Sequence, residues 1–257
     1  MSTAAADLSV KEQVSEEEWN VRVNLAACYR LIAMFGWDDL IFTHISARVP
    51  GPEDHFLINA YGLLFEEMTA SSLVKVDLNG EIVQETPYFI NPAGFTIHSA
   101  VHAAREDAGC VLHTHTRAGV AVSAQADGLL PISQIAAVAC SALSYHDYEG
   151  IALDMDERER LAGDLGPTSK AMILRNHGLL SVGQSVSEAF EIMYYLDTAC
   201  QIQIDAIAGG KAELQLIAEQ TATKGYLQFQ DEGGAEIDLC WKAMLRMLDR
   251  KGIAYRD

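Results

Sequence analysis

The sequence predicts one layered α/β domain over residues 15–257, with a loose tail at 1–14 and a helical segment at its C-terminal end. Three observations predict it. Short runs rich in β-branched and aromatic residues alternate with stretches whose apolar residues recur at helical spacing, the pattern of strands and helices packed in layers. Hydrophobic residues make up 49% and charged residues 21% of 257 positions, enough apolar material for one sizeable core. No internal repeat or low-complexity linker divides the chain.

The elements follow in order. Ser15-Glu16-Glu17-Glu18 is a capping box, and Trp19, Val23, Ala26, Ala27, Arg30, Leu31 and Met34 carry a helix to Gly36. Asp38 to Val49 reads as a strand ending at the turn Pro50-Gly51-Pro52, and His55 to Asn59 as a second, with Gly62 in the turn after it. Met68 to Leu73 turns into a strand at Val74–Asp77, which Asn79-Gly80 folds back onto Glu81–Val83. Asn91-Pro92-Ala93-Gly94 opens a helix from about Phe95 to Arg105, with Phe95, His98, Val101, His102 and Arg105 on one stripe.

Gly109 to His115 is a strand, and Ala118 to Ala124 suits a short helix. Leu129 to Ile132 turns into a further helix or strand, and Ser144 to Gly150 is a polar, aromatic loop or sheet edge. Asp154 to Asp164 reads as a charged surface helix, and Lys170 to Leu174 and Leu179 to Gly183 as short strands. Ser185 to Ala208 is the clearest helix, capped by Ser187 and stopped by Gly209-Gly210, with an apolar stripe from Ala189 to Ala206. In residues 211–257, Asp231-Glu232-Gly233-Gly234 is expected to break the helix before a last one carrying Trp241, Met244, Leu245 and Leu248.

Charge and cysteine usage narrow the function classes. With 36 acidic against 18 basic residues, the net charge of −18 repels a phosphate backbone, which argues against a nucleic-acid partner. Five widely spaced cysteines without a C-x-x-C pair fit reduced, buried thiols. The N-terminus lacks a basic stretch followed by an apolar one, and no uncharged apolar run nears the roughly 18 residues a span needs. The expectation is a soluble, cytoplasmic protein without a membrane partner.

The chemistry concentrates in His113-Thr114-His115. Side chains two apart on a strand share a face, so the two imidazoles stand side by side. They read either as two corners of a metal site or as histidines satisfied in the core or exposed. His177 follows a buried strand, between Asn176 and Gly178, and strand ends are where open α/β sheets build sites. Gly178 would let the backbone bend so that the imidazole turns inward, while Asn176 suits turn formation. Three neutral ligands leave coordination positions open, the layout of a catalytic rather than a structural metal site.

Residues 94–116 (GFTIHSAVHAAREDAGCVLHTHT) and 171–189 (AMILRNHGLLSVGQSVSEA) resemble the class II aldolase/adducin family. The resemblance runs from about Glu17 to Ala208 and includes THIS at 43–46, AYGLLFEEMTASSL at 60–73 and GLLPIS at 128–133. The phrases GLLPIS, YHDY at 145–148 and ILRNHGLLSVG at 173–183 resemble the adducin head domain and its bacterial relatives more than the sugar-phosphate aldolases. The resemblance implies a three-layer α/β/α sandwich with a central, mostly antiparallel sheet. It also implies a cyclic homotetramer with sites between subunits. His113, His115 and His177 match the family's metal-binding histidines, which implies one divalent metal per subunit: zinc first, with Mn2+ or Fe2+ as alternatives. In the enzymes of the family that metal stabilises an enediolate formed when a carbon–carbon bond breaks.

The sequence departs from the aldolases around that metal. Their proton-transferring Glu falls at Gly94, and the two serines before it at Pro92 and Ala93. Their Gly-Asn-x-Ser phosphate loop appears as Thr43-His44-Ile45-Ser46, and a phosphate-contacting threonine as Tyr61. The resemblance therefore implies a metal-dependent lyase acting on a small non-phosphorylated hydroxy or keto acid, by carbon–carbon cleavage or decarboxylation. The alternatives are a non-haem metal oxygenase and a non-catalytic, adducin-like binding module. Tyr145, Tyr148 and His98 are the candidates for the missing acid or base, and His44, Tyr61, Gly62, Gly94 and Thr116 for contact with substrate. His98 and His102, one turn apart, read also as supports behind the metal or as core. Thr116 lines the site only if the strand ends or bulges after His115.

Overall fold

A computed structural model describes residues 9–51, 54–152, 154–209 and 214–257, the side chains of 231–235 excepted. Among them the strands are β1 His44–Arg48, β2 Phe56–Ile58, β3 Val74–Val76, β4 Cys110–Thr114, β5 Leu143–His146, β6 Ala171–Leu174 and β7 Gly178–Gly183. The helices are α1 Val10–Gln13, α2 Glu16–Phe35, α3 Pro92–Ala104, α4 Arg117–Ser123, α5 Gln134–Cys140, α6 Glu157–Leu165, α7 Val186–Ile207 and α8 Glu219–Arg250.

The strands form one sheet in the order β3-β2-β1-β4-β7-β6-β5. Every neighbouring pair is antiparallel except β5 with β6. The central strands β4 and β7 are buried at every position because helices cover both faces. On β4, Cys110 and Leu112 join the core that α2 and α7 pack against, while Val111 joins Ile97 and Val101 of α3 and Leu161 and Leu165 of α6. Strands β6 and β7 alternate in the same way, with Ile173 and Leu179 on one side and Met172, Leu174, Leu180 and Val182 on the other. Period-two alternation between two apolar layers is what makes a strand read as a continuous hydrophobic run. The expected helix–sheet–helix sandwich with a mostly antiparallel sheet is therefore borne out.

Several boundaries differ from expectation. The first strand begins at His44, not Asp38. Residues 38–43 form a loop in which Leu40 takes a left-handed φ of 51° and stands 66% exposed, so apolar character there does not signal pairing. The Asn79-Gly80 turn forms, with Gly80 at φ 90°, but its returning arm keeps only one bridge, Val76 to Ile82. Helix α3 starts three residues early, with Pro92 in its first turn and the Asn91 side chain accepting from the Ala93 N–H at 3.1 Å. The expected break at 231–234 is absent: α8 is one helix through Gly233 and Gly234, tied back through Trp241 and Leu248. Packing of a 32-residue helix outweighs a cost of about 1 kcal/mol per glycine. Within the expected tail, α1 forms; residues 1–8, Pro52 and Gly210 lie outside the described residues. The cysteines are free, with Cys28, Cys110 and Cys200 buried and Cys240 exposed.

The cap of α7 is Ser185 rather than Ser187: the Ser185 hydroxyl accepts from the Glu188 N–H at 3.2 Å. Ser185→Ala is accordingly expected to cost about 1 kcal/mol in urea unfolding, and Ser187→Ala a few tenths at most. Equal costs would put the cap in the wrong place.

Candidate metal centre

One end of the sheet gathers the histidines. In the antiparallel ladder of β1 and β4, His44 stands directly opposite His113. Strand β4 ends at Thr114, so His115 lies just past the strand, where the chain turns into α4. His177 sits in the turn between β6 and β7, after Asn176, whose φ of 57° is the left-handed conformation asparagine tolerates. Gly178 serves a different purpose from the bend expected of it. A Cβ there would stand 2.4 Å from the Thr114 carbonyl oxygen and 3.1 Å from the His115 ring, so glycine is needed for close approach.

The structure brings His113, His115 and His177 together, with one ring nitrogen of each within 4.8 Å of the others. Their tautomers follow from their partners. His113 Nδ1 donates to the Leu179 carbonyl at 2.9 Å, and His115 Nδ1 donates to Asp39 Oδ2 at 2.9 Å. A neutral imidazole has one N–H, so both Nε2 atoms carry lone pairs. Those two atoms face each other at 2.9 Å. When both rings are neutral, with their protons on Nδ1, no hydrogen joins the two Nε2 atoms, and their lone pairs repel unless something electrophilic binds both. Burial, reinforced by the neighbouring rings, holds His113 well below the usual histidine range. Burial, with lesser contributions from His115 and His146, brings His177 down to about 4. Neutral imidazoles with Nε2 free and Nδ1 anchored are the form in which histidine binds zinc.

Behind the triad lies a second group of imidazoles. His44 Nδ1 and His98 Nε2 are 2.8 Å apart, His98 Nδ1 and the Ser46 hydroxyl 2.5 Å, and that hydroxyl and His102 Nε2 2.7 Å. His102 Nδ1 ends the chain on the Ala108 carbonyl at 3.1 Å. Burial is the main reason His44 and His102 fall to about 3. The His44 ring lies 5.0 Å from that of His113 and fills the space beside Gly94. A Cβ on residue 94 would meet His44 Cδ2 at 2.5 Å and Nε2 at 2.9 Å.

The remaining candidates separate by position. The Tyr148 ring is 6.3 Å from that of His177 and 55% exposed, at the mouth of the site. Tyr145 is a packing residue: its hydroxyl accepts from the Leu129 N–H at 3.1 Å, and the Arg175 guanidinium lies over its ring at 4.2 Å. His98 is buried one residue removed from the triad, linked to it through His44. Thr116 caps α4, accepting from the Gly119 N–H at 3.1 Å, because the strand has already ended. Tyr61 and Gly62 lie in the loop after β2; the Tyr61 ring packs edge-on to Phe89 at 5.8 Å and touches none of the three histidines. Sequence reading missed Asp39, in the loop taken for a strand. The available signal was chemical: a ligating histidine needs an acceptor on its other nitrogen, but nothing local says which acid supplies it. A cavity lies between α5, α7 and α8, with Glu191, Tyr195 and Tyr226 in its lining and no histidine there, so a cavity alone does not locate the chemistry.

Fold and histidine arrangement together place this chain among the class II aldolases and adducins. Residues 23–204 match the family described as Class II Aldolase and Adducin N-terminal domain, and the chain belongs to it. It is similar to an aldolase II superfamily protein from Pseudomonas syringae, whose crystal structure aligns with a TM-score of 0.92 at 55% identity, covering 97% of this chain and 100% of that one. Alpha-adducin of Rattus norvegicus is 49% identical over 223 residues, 84% of this chain and 30% of the adducin. An L-fuculose 1-phosphate aldolase from Glaciozyma antarctica PI12 has a TM-score of 0.80 at 26% identity, with 96% of each chain covered. Among the described residues no helix is long and apolar enough to cross a membrane.

Proposed function

We propose that His113, His115 and His177 hold one zinc ion and that this chain is a metal-dependent lyase. Its substrate is a small non-phosphorylated hydroxy or keto acid, cleaved at a carbon–carbon bond or decarboxylated. The observation that carries the reading is the pair of Nε2 lone pairs facing each other at 2.9 Å, each fixed by a donor bond from its own Nδ1. Three neutral nitrogen donors suit zinc and leave it positions open to substrate oxygens. When bound, the metal supplies Lewis-acid stabilisation of the negative charge that develops on a substrate oxygen. The protein's part is orientation and exclusion of water. Asp39 and the Leu179 carbonyl hold the rings, and His44 occupies the side of the site next to Gly94. The same reading takes the working form to be a cytoplasmic homotetramer.

The adducin likeness favours one second reading, a binding module without catalysis. Metal analysis and a substrate screen separate the two. Purified protein is expected to carry about one zinc per chain and His113→Ala almost none. Asp39→Asn, which removes the charge behind His115, is expected to weaken zinc by roughly 10- to 100-fold. A panel of hydroxy and keto acids is then scored for released CO2 or aldehyde. Zinc-loaded protein that turns over none of them supports the binding module. Iron in place of zinc, with oxygen consumption, supports an oxygenase. Protein that binds no metal at all sinks the lyase reading.

A further inference from the structure

The hydrogen bonds behind His44 have a direction, and the far end sets it. The Ala108 carbonyl can only accept, so His102 carries its proton on Nδ1 and offers a lone pair at Nε2. The Ser46 hydroxyl hydrogen goes to that lone pair, which leaves its oxygen to accept from His98 Nδ1–H. His98 Nε2 is then bare and accepts from His44 Nδ1–H. His98 and Ser46 are fully buried, and His44 and His102 are nearly so. Among the described residues no carboxylate is hydrogen-bonded to any link of the chain, so an extra proton would be an uncompensated buried charge. One arrangement of protons satisfies all four bonds.

We propose that this chain fixes His44 with a bare Nε2 in the space beside Gly94. There it selects ligands that bring a hydroxyl hydrogen, 2-hydroxy acids over the corresponding 2-oxo acids. His44 Nε2 stands 2.9 Å from where a Cβ of residue 94 would be, and the His44 ring is 5.0 Å from that of the ligand candidate His113. A 2-hydroxy acid held through its oxygens next to His113 has its O–H to donate there. A 2-oxo acid has none and leaves Nε2 facing an acceptor. Ser46, His98 and His102 act through His44 and are positioning residues. The ligand preference rests on the metal reading; the proton arrangement does not.

The test begins on metal-free protein labelled with 15N-histidine, with the His44 resonances assigned by their loss in His44→Gln. Long-range 1H–15N spectra are expected to place the His44 proton on Nδ1 alone. Ser46→Ala cuts the chain and is expected to give a mixture of His44 tautomers. Ser46→Thr keeps the hydroxyl, restores the single form and controls for misfolding. A His44 proton on Nε2, or a single unchanged tautomer in a folded Ser46→Ala, overturns the assignment. Zinc-loaded protein is then titrated with lactate against pyruvate and 2-hydroxybutyrate against 2-oxobutyrate, the oxo acids being ketones that stay mainly unhydrated near neutral pH. The hydroxy acid is expected to bind about tenfold tighter, the scale of one unsatisfied buried acceptor, and the ratio to fall toward one in Ser46→Ala. An oxo-acid preference, or a ratio indifferent to Ser46, overturns the selection. Failure to load zinc sinks the metal reading and the selection with it, while the metal-free spectra still decide the tautomer.

Discussion

Gly94→Glu, which restores the aldolase-type residue at its expected place, is expected to destabilise the protein by about 3 kcal/mol, the upper range for forcing a side chain into a filled space. Local preference alone says the opposite. Residue 94 is the third of α3, where a carboxylate favours the helix dipole and completes a capping box. The structure reverses that sign. The new Cβ would stand 2.5 Å from His44 Cδ2, and the ring has little freedom to leave. It is bonded to His98 at 2.8 Å and packed against His113 at a centroid distance of 5.0 Å. The cost should therefore vanish when the ring is removed. In the double variant Gly94→Glu/His44→Asn, with the asparagine of the aldolase-type loop, most of the lost stability is expected to return. The coupling in a double-mutant cycle should be about 2 kcal/mol, within the range for residues in contact. Urea unfolding of the four proteins measures it. Additive single and double variants would mean that position 94 and His44 do not compete for one space.

Acid should unfold this protein early and steeply. His44 and His102 fall to about 3 and His177 to about 4 in the folded chain, burial being the first cause in each case. The unfolded chain titrates its histidines near 6.5. Between those limits the unfolded state binds more protons than the folded one, so stability rises with pH. The contribution is fully present above about 6.5 and is lost as pH falls from there toward 4 and 3. Each such histidine adds a slope of about 1.4 kcal/mol per pH unit in the window. Three together amount to several kcal/mol between pH 7 and 5, a large share of a typical domain's stability. Unfolding midpoints in urea at pH 7.5, 6.5, 5.5 and 5.0 are expected to be level at first and then to drop. A flat profile down to pH 5 would mean the imidazoles are protonated or hydrated in the fold. Bound zinc should delay the drop, because metal and proton compete for the same nitrogens.

What the sequence made legible was local. The His113 and His115 pair and the Asn176-His177-Gly178 turn announce themselves by spacing next to strand ends, and α3 announces its two histidines by helical period. The rest depends on which strands lie beside which. Asp39 reaches His115 across 76 positions, from a loop whose apolar Leu40 and Phe42 imitate a strand. Ser46 joins His98 to His102 only because β1 pairs with β4 in a register that turns His44 and Ser46 toward α3. Gly94 was readable as an absent carboxylate, but the occupant of the vacated space comes from another element. Tyr145 was readable as a phenol near a motif, while its engagement with Leu129 and Arg175 follows from the edge position of β5. The continuous α8 is the same lesson in reverse, where tertiary packing overrode two glycines.

The placement of the three histidines on β4, its exit and the β6–β7 turn also orders events during folding. His113 and His115 are separated from His177 by more than sixty positions and meet only through the β4–β7 and β6–β7 ladders. Long-range pairings of this kind form slowly. In a refolding experiment the capacity to sequester zinc from a weak chromogenic chelator should thus appear late, after the helical signal, and its rate would clock the closing of the sheet's centre.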